Sequence, residues 1–83
     1  MNLTFVENYI KLIVSNPDDI LIKRVKVNDS FYLIKIYAKD EDVGRIIGKG
    51  GNMINAIKSM VWLCKLKNQS KISYKIEVTA LDK

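Results

Sequence analysis

Apolar residues recur along the chain with two different periods. Between residues 3 and 15 they fall at helical spacing, with Phe5, Val6, Tyr9, Leu12 and Ile13 forming one broad stripe. Thr4-Phe5-Val6-Glu7 fits a capping box, in which a hydroxyl and a carboxylate satisfy backbone donors at the helix start. Asn16-Pro17 ends this helix, because proline disfavours α geometry at the residue before it. Residues 20–27 and 31–38 are instead rich in β-branched and aromatic side chains, and Asn28-Asp29-Ser30 between them predicts a hairpin. In the second strand Ile34, Ile36 and Ala38 share one face, while Leu33, Lys35 and Tyr37 share the other. Tyr32 and Tyr37 read as packing residues at the sheet margins.

The helical period returns after Lys39-Asp40-Glu41-Asp42. Asp40 is placed to cap, and the acids suit the positive end of a helix dipole. A short helix running to Ile47 is followed by a glycine turn and a second helix from Asn52 to about Lys67. Met53, Ile54, Ile57, Met60, Val61 and Cys64 line one face of that longer helix, so it is the core-facing side and Cys64 is a small buried hydrophobe. Trp62, Leu63 and Leu66 lie roughly 100° or more from its centre. Either they form a partner surface, or the first helix or the C-terminus covers them. Residues 65–71 close the helix and turn, and residues 72–80 alternate as a strand with one buried and one wet face.

Composition narrows the class. At 83 residues the chain is expected to be one domain, residues 1–83, near the size where a single core just suffices. No apolar run approaches the roughly 18 residues of a membrane span, and Glu7 and Lys11 interrupt the apolar N-terminal stretch, so neither secretion nor membrane insertion is expected. One cysteine and no histidine leave no internal disulfide, no zinc set and no imidazole base, which argues against an enzyme and against a cofactor. The net charge of +5 is unevenly spread. Residues 43–76 carry Arg45, Lys49, Lys58, Lys65, Lys67, Lys71 and Lys75 with no acid, while Asp18-Asp19, Asp29 and Asp40-Glu41-Asp42 lie outside that stretch. A basic run is often just a solvated face; beside an anion-binding helix start it is the footprint of a nucleic-acid binder.

The chemistry concentrates between the two later helices. Gly48, Gly50 and Gly51 permit positive φ and keep side chains out of the way of a ligand, Lys49 adds charge, and a helix start beyond them offers backbone N–H groups to an anion. A Walker-type loop is excluded, since only three residues separate Gly44 from Gly48 and Gly50 follows Lys49 where Ser or Thr is needed. The dinucleotide fingerprint fails too: position 53 is Met and the preceding segment is helical. What remains is Ile47-Gly48-Lys49-Gly50-Gly51 followed by Ile54, which resembles the KH signature Ile-Gly-x-x-Gly-x-x-Ile that clamps a single strand by its backbone.

The order helix, strand, strand, short helix, glycine turn, long helix, strand is similar over the whole chain to an α+β type II KH domain, α-β-β-α-α-β, with three helices on one face of a three-stranded mixed sheet. Asn16-Pro17-Asp18-Asp19 and the run from Asp42 to the glycines carry a closer resemblance to the KhpA-type small bacterial KH proteins. That resemblance implies a cytoplasmic, non-enzymatic protein that binds single-stranded RNA. It further implies self-association or pairing with a larger KH-domain protein of the Jag or EloR type, and RNA chaperoning or post-transcriptional regulation linked to cell elongation, division and envelope growth. By position it assigns RNA contact to Gly44, Arg45, Ile47, Gly48, Lys49, Gly50, Gly51, Asn52 and Ile54, with Ile46 and Met53 as further groove candidates. Trp62, where the family usually has a small residue, and Lys39 in place of a proline are departures from that pattern. A dimerising adaptor working through Trp62, Leu63 and Leu66, or a binder of single-stranded DNA, are the competing readings.

Overall fold

The computed structural model describes residues 3–67 and 71–81; Asn68, Gln69 and Ser70, read above as part of the turn after the long helix, lie outside the described residues. Helix α1 spans Thr4–Ile13, strands β1 and β2 span Leu21–Asn28 and Phe31–Ala38, helices α2 and α3 span Asp40–Ile47 and Asn52–Lys67, and strand β3 spans Ser73–Ala80. Short 3₁₀ turns at Pro17–Asp19 and Lys49–Gly51 join α1 to β1 and α2 to α3. The order is the expected α-β-β-α-α-β.

The sheet runs β1-β2-β3, with β1 and β2 antiparallel and β2 and β3 parallel. Connection length explains the difference, since a hairpin reverses the chain while the long return through α2 and α3 permits a parallel neighbour. The central strand β2 buries Ile34, Ile36 and Ala38 from one face. Val6 and Ile10 of α1, Ile46 of α2, and Ile57 and Val61 of α3 close over that same face in one continuous core, with Ile20 at its margin. All three helices therefore lie on one side of the sheet. The alternation read for β3 also holds: Tyr74, Ile76, Val78 and Ala80 are half-buried, and Ser73, Lys75, Glu77 and Thr79 are exposed.

Three local expectations are corrected. The N-cap of α1 is Leu3, not Thr4, so the capping box does not form; the Glu7 amide donates to the Leu3 carbonyl at 2.9 Å and the Glu7 carboxylate pairs with Lys11 at 3.2 Å. Lys39 rather than Asp40 caps α2, its carbonyl accepting from the Asp42 amide at 2.8 Å. The buried stripe of α1 centres on Val6 and Ile10, leaving Phe5 and Leu12 exposed. Those two positions fall within roughly 20° of each other at 3.6 residues per turn, on one flank that the core leaves open. The β1–β2 ladder is also interrupted between Lys26 and Asn28, an irregularity that the strand pattern alone did not reveal.

Candidate nucleic-acid interface

Helix α2 stops where Gly48 takes φ 77°, and its N–H closes the helix on the Gly44 carbonyl at 2.8 Å. Only glycine suits this position. A Cβ there would stand 2.6 Å from the Met53 Cβ and 2.7 Å from the Met53 N, inside the first turn of α3. Gly50 also has positive φ, 63°, but a Cβ on it would meet nothing within 4 Å, so the tip of the turn is open. Lys49 and Gly50 are both exposed at this tip.

The donors at the turn differ from the simple helix-start expectation. The Gly51 amide bonds to the Gly48 carbonyl at 3.1 Å, and the Asn52 amide bonds to the Lys49 carbonyl, so both close the 3₁₀ turn. An arriving phosphate would meet Lys49 and the tip of the turn before it met the amides behind them. Asn52 is exposed, Ile47 is exposed on the near side, and Ile54 is half-buried on the far side. Gly44 is an exposed position on α2. Of the further groove candidates, Ile46 is wholly buried in the core, and Met53 packs against it with its sulfur accepting from the Tyr9 hydroxyl at 3.5 Å. Sequence reasoning thus brought Ile47, the glycine turn, Asn52 and Ile54 to one place, but Ile46 and Met53 serve packing.

Arg45 is held differently. Its guanidinium donates to the Ser15 hydroxyl and lies 3.8 Å from Asp42, so it is tied toward the end of α1. Asp42 is the polar centre of that region and is 0 % exposed. One carboxylate oxygen accepts from the Ser15 amide at 2.9 Å; the other accepts from the Asn16 amide at 2.9 Å and from the Asn16 side chain at 3.0 Å. Burial by itself would push the Asp42 pKa up, but these hydrogen bonds and the Arg45 charge outweigh it and hold the carboxyl below its ordinary range. The result fastens α2, and with it the glycine turn, to the segment that follows α1. The sequence reading treated Asp42 only as a dipole-matching acid, and the partners that would have revealed it lie 26 and 27 residues away.

Along α3 the outer face carries the remaining candidates. Trp62, Leu63 and Leu66 are 53 %, 63 % and 53 % exposed, so neither α1 nor the rest of the described chain covers them. They do not share one direction. At about 100° per residue Trp62 is separated from Leu63 by a quarter turn or more and from Leu66 by about 40°. Trp62 lines a cleft of about 430 Å³ between α3 and β3, together with Lys58, Lys65, Tyr74 and Lys75. The Lys65 ammonium sits 5.0 Å from the centre of the Trp62 ring, and Tyr74 in turn packs on Tyr32 with ring centres 5.9 Å apart. Tyr32 thus packs as expected, and Tyr37 lies beneath the Lys23 ammonium at 5.9 Å.

A family model described as KhpA/KhpB, KH domain, matches residues 4–78. The chain is 34% identical over 67 residues to the RNA-binding protein KhpA of Listeria monocytogenes, covering 81% of this chain and 87% of that one. It is 33% identical over 72 residues to the RNA-binding protein KhpA of Chlamydia caviae, covering 87% and 91%. Against the RNA-binding protein KhpA of Caldanaerobacter subterraneus subsp. tengcongensis the identity is 30% over 71 residues, 86% and 93% of the two chains. No solved structure gives a significant match.

Proposed function

Because the chain belongs to the KhpA/KhpB KH-domain family, we propose that it is a non-enzymatic binder of single-stranded RNA that grips about four nucleotides by their backbone at Gly48, Lys49, Gly50 and Gly51. The observation that carries this reading is the turn itself: a positive-φ glycine hinge between two helices, with an exposed lysine at an open tip, inside a 34-residue stretch, residues 43–76, that holds no acid. A phosphodiester fits such a tip because it needs close backbone approach and positive charge, and the turn supplies both. Ile47, Asn52 and Ile54 flank the strand, and Gly44 and Arg45 lie on the helix behind it. Contacts of this kind read backbone and shape, so sequence preference is weak.

No described helix is long and apolar enough to cross a membrane, and we place the protein in the cytoplasm, where RNA chaperoning or post-transcriptional regulation connected with cell elongation, division and envelope growth is its proposed role. A second reading, a dimerising adaptor that pairs with its own copy or with a larger KH-domain protein, is favoured by the exposure of Trp62, Leu63 and Leu66. The two readings are compatible, since Trp62, Leu63 and Leu66 lie in the second half of α3, away from the glycine turn.

Fluorescence anisotropy of a labelled single-stranded RNA, comparing the wild type with Lys49→Asp plus Gly50→Asp, tests the proposal. Asp tolerates left-handed backbone better than most residues, and position 50 has open space, so the double variant keeps its fold by circular dichroism. Binding is expected to fall by about two orders of magnitude, because Lys49 changes from attraction to repulsion and position 50 gains a second repelling carboxylate. Undiminished binding by the folded variant would remove the turn from the site. The same titration with DNA of equal sequence decides between the two nucleic acids.

A further inference from the structure

Strand β1 is an open edge of the sheet. Its backbone pairs with β2 alone among the described residues, and every residue in it except Ile22 is exposed. We infer that β1 receives an extended acidic segment of another protein, which adds as a fourth strand and sets carboxylates against Lys23, Arg24 and Lys26. The inference does not depend on the RNA reading, because β1 is the edge opposite β3 and carries none of the residues assigned to RNA.

An edge strand presents a row of backbone N–H and C=O groups that another extended backbone can pair with. Its side chains show what that backbone must carry. Leu21, Val25 and Val27 are 45 %, 39 % and 54 % exposed. The register sets Leu21 opposite Tyr37 and Val25 opposite Leu33, on the face away from buried Ile34 and Ile36, where no helix lies. These four make an apolar strip along the edge, and the alternate side chains of an added strand would cover it. The ladder is regular from Leu21 to Lys26 and breaks before Asn28, so a partner has about six residues, or about 20 Å, to pair with.

Charge decides whose backbone it is. Lys23 lies on the open face between Leu21 and Val25, Arg24 and Lys26 lie on the other, and β1 holds no acid. Lys26 meets Asp29 at 3.1 Å, but the pair is open to water and weakly held. Basic side chains on an edge keep a second copy away: pairing two β1 strands antiparallel about any residue from Lys23 to Lys26 sets like charges directly opposite each other. The same charges draw in an acidic strand. The chain's own acidic clusters have the wrong shape for it, since Asp18 and Asp19 lie in a 3₁₀ turn and Asp40, Glu41 and Asp42 in α2. Nucleic acid is a poorer match, because β1 offers no aromatic ring to a base. The fitting segment therefore reads apolar, acidic, apolar on the open face, with acids opposite Arg24 and Lys26 on the other.

The test titrates the full chain with a fluorescein-labelled peptide, Thr-Glu-Val-Glu-Asp-Val-Ile-Thr, and follows anisotropy and backbone-amide NMR. Binding is expected, with the largest shifts at residues 21–26 and the glycine turn unmoved. Lys23→Glu with Lys26→Glu changes only exposed side chains, so the fold is kept. It should weaken the peptide about tenfold, because two exposed cross-strand pairs turn from attraction to repulsion. The same variant should bind a peptide whose acids are replaced by lysine more tightly than the wild type does. Successive residues of an added strand point their N–H groups toward β1 and away from it in turn, so N-methylation of one alternate set should abolish binding and of the other should spare it. An equal effect of the two methylated sets, or equal binding of a scrambled peptide, would reduce the contact to charge alone and overturn the inference. No binding by the unmodified peptide, or shifts centred on the glycine turn or β3, would overturn it as well. Shifts in β1 that follow protein concentration without peptide would assign the edge to a second copy and also overturn it.

Discussion

The two ends of α2 carry charge in opposite ways. In its first turn Asp42 is wholly buried, and its two oxygens accept three hydrogen bonds from Ser15 and Asn16. Just beyond its last turn Lys49 is exposed on a glycine tip with open space around it. A buried charge survives only when its partners are built into the fold, so Asp42 is structural chemistry. A charge left in water at a site with no side chain in the way is available to something that arrives later. The same short helix connects them, so the rigid end sets where the open end points.

The largest effect should come from breaking the rigid end. Asp42→Ala removes the acceptor for two backbone amides and one side chain, and should cost about 3 kcal/mol of stability in urea unfolding, near 1 kcal/mol for each bond. For a chain of this size that is a large part of the total. Gly48→Ala comes next, at about 2 kcal/mol or more, because it combines a left-handed backbone with a Cβ 2.6 Å from Met53. Thermal unfolding of the two variants checks the order.

Acid sharpens the contrast. Asp42 has a folded pKa below its ordinary value, so its contribution is fully present above the unfolded value of about 3.9 and is lost as pH falls through the lower folded value. The stability of the wild type should therefore drop below about pH 4, and Asp42→Asn should flatten that limb in pH-dependent unfolding. The open end should respond to salt instead. With about three phosphates neutralised, log K for RNA should fall against log salt with a slope of roughly −2. The smallest effect belongs to Gly44→Ala on the exposed middle of α2, where a Cβ meets nothing within 4 Å. That change should raise stability by about 0.5–1 kcal/mol through helix propensity.

The contrast also explains what the sequence could and could not reveal. Periodicity placed every helix and strand, because which face of β2 or α3 is buried depends on residues two to four positions apart. The glycine turn was legible for the same reason: three glycines in four positions have few other uses. The Asp42 cluster was not, since its partners are distant in sequence and an acid in a first helical turn already has a sufficient local explanation. The stripe of α1 is narrower than its hydrophobicity suggests, because periodicity alone does not say how much of a helix face its neighbours cover; Val6 and Ile10 enter the core, and Phe5 and Leu12 do not. For Trp62 the sequence leaves exposure and coverage both open; the structure exposes it, and its divergence from Leu63 and its place beside Tyr74 depend on β3 lying alongside α3.

The most direct test of the central claim follows backbone amides by NMR while a single-stranded RNA of about four nucleotides is titrated into the wild-type chain. The account predicts that Lys49, Gly50 and Gly51 shift first and furthest, with Asn52 close behind, while the Ser15 and Asn16 amides held by Asp42 stay in place. Shifts concentrated on the outer sheet face around Lys23 and Lys35, with the glycine turn unmoved, would contradict it.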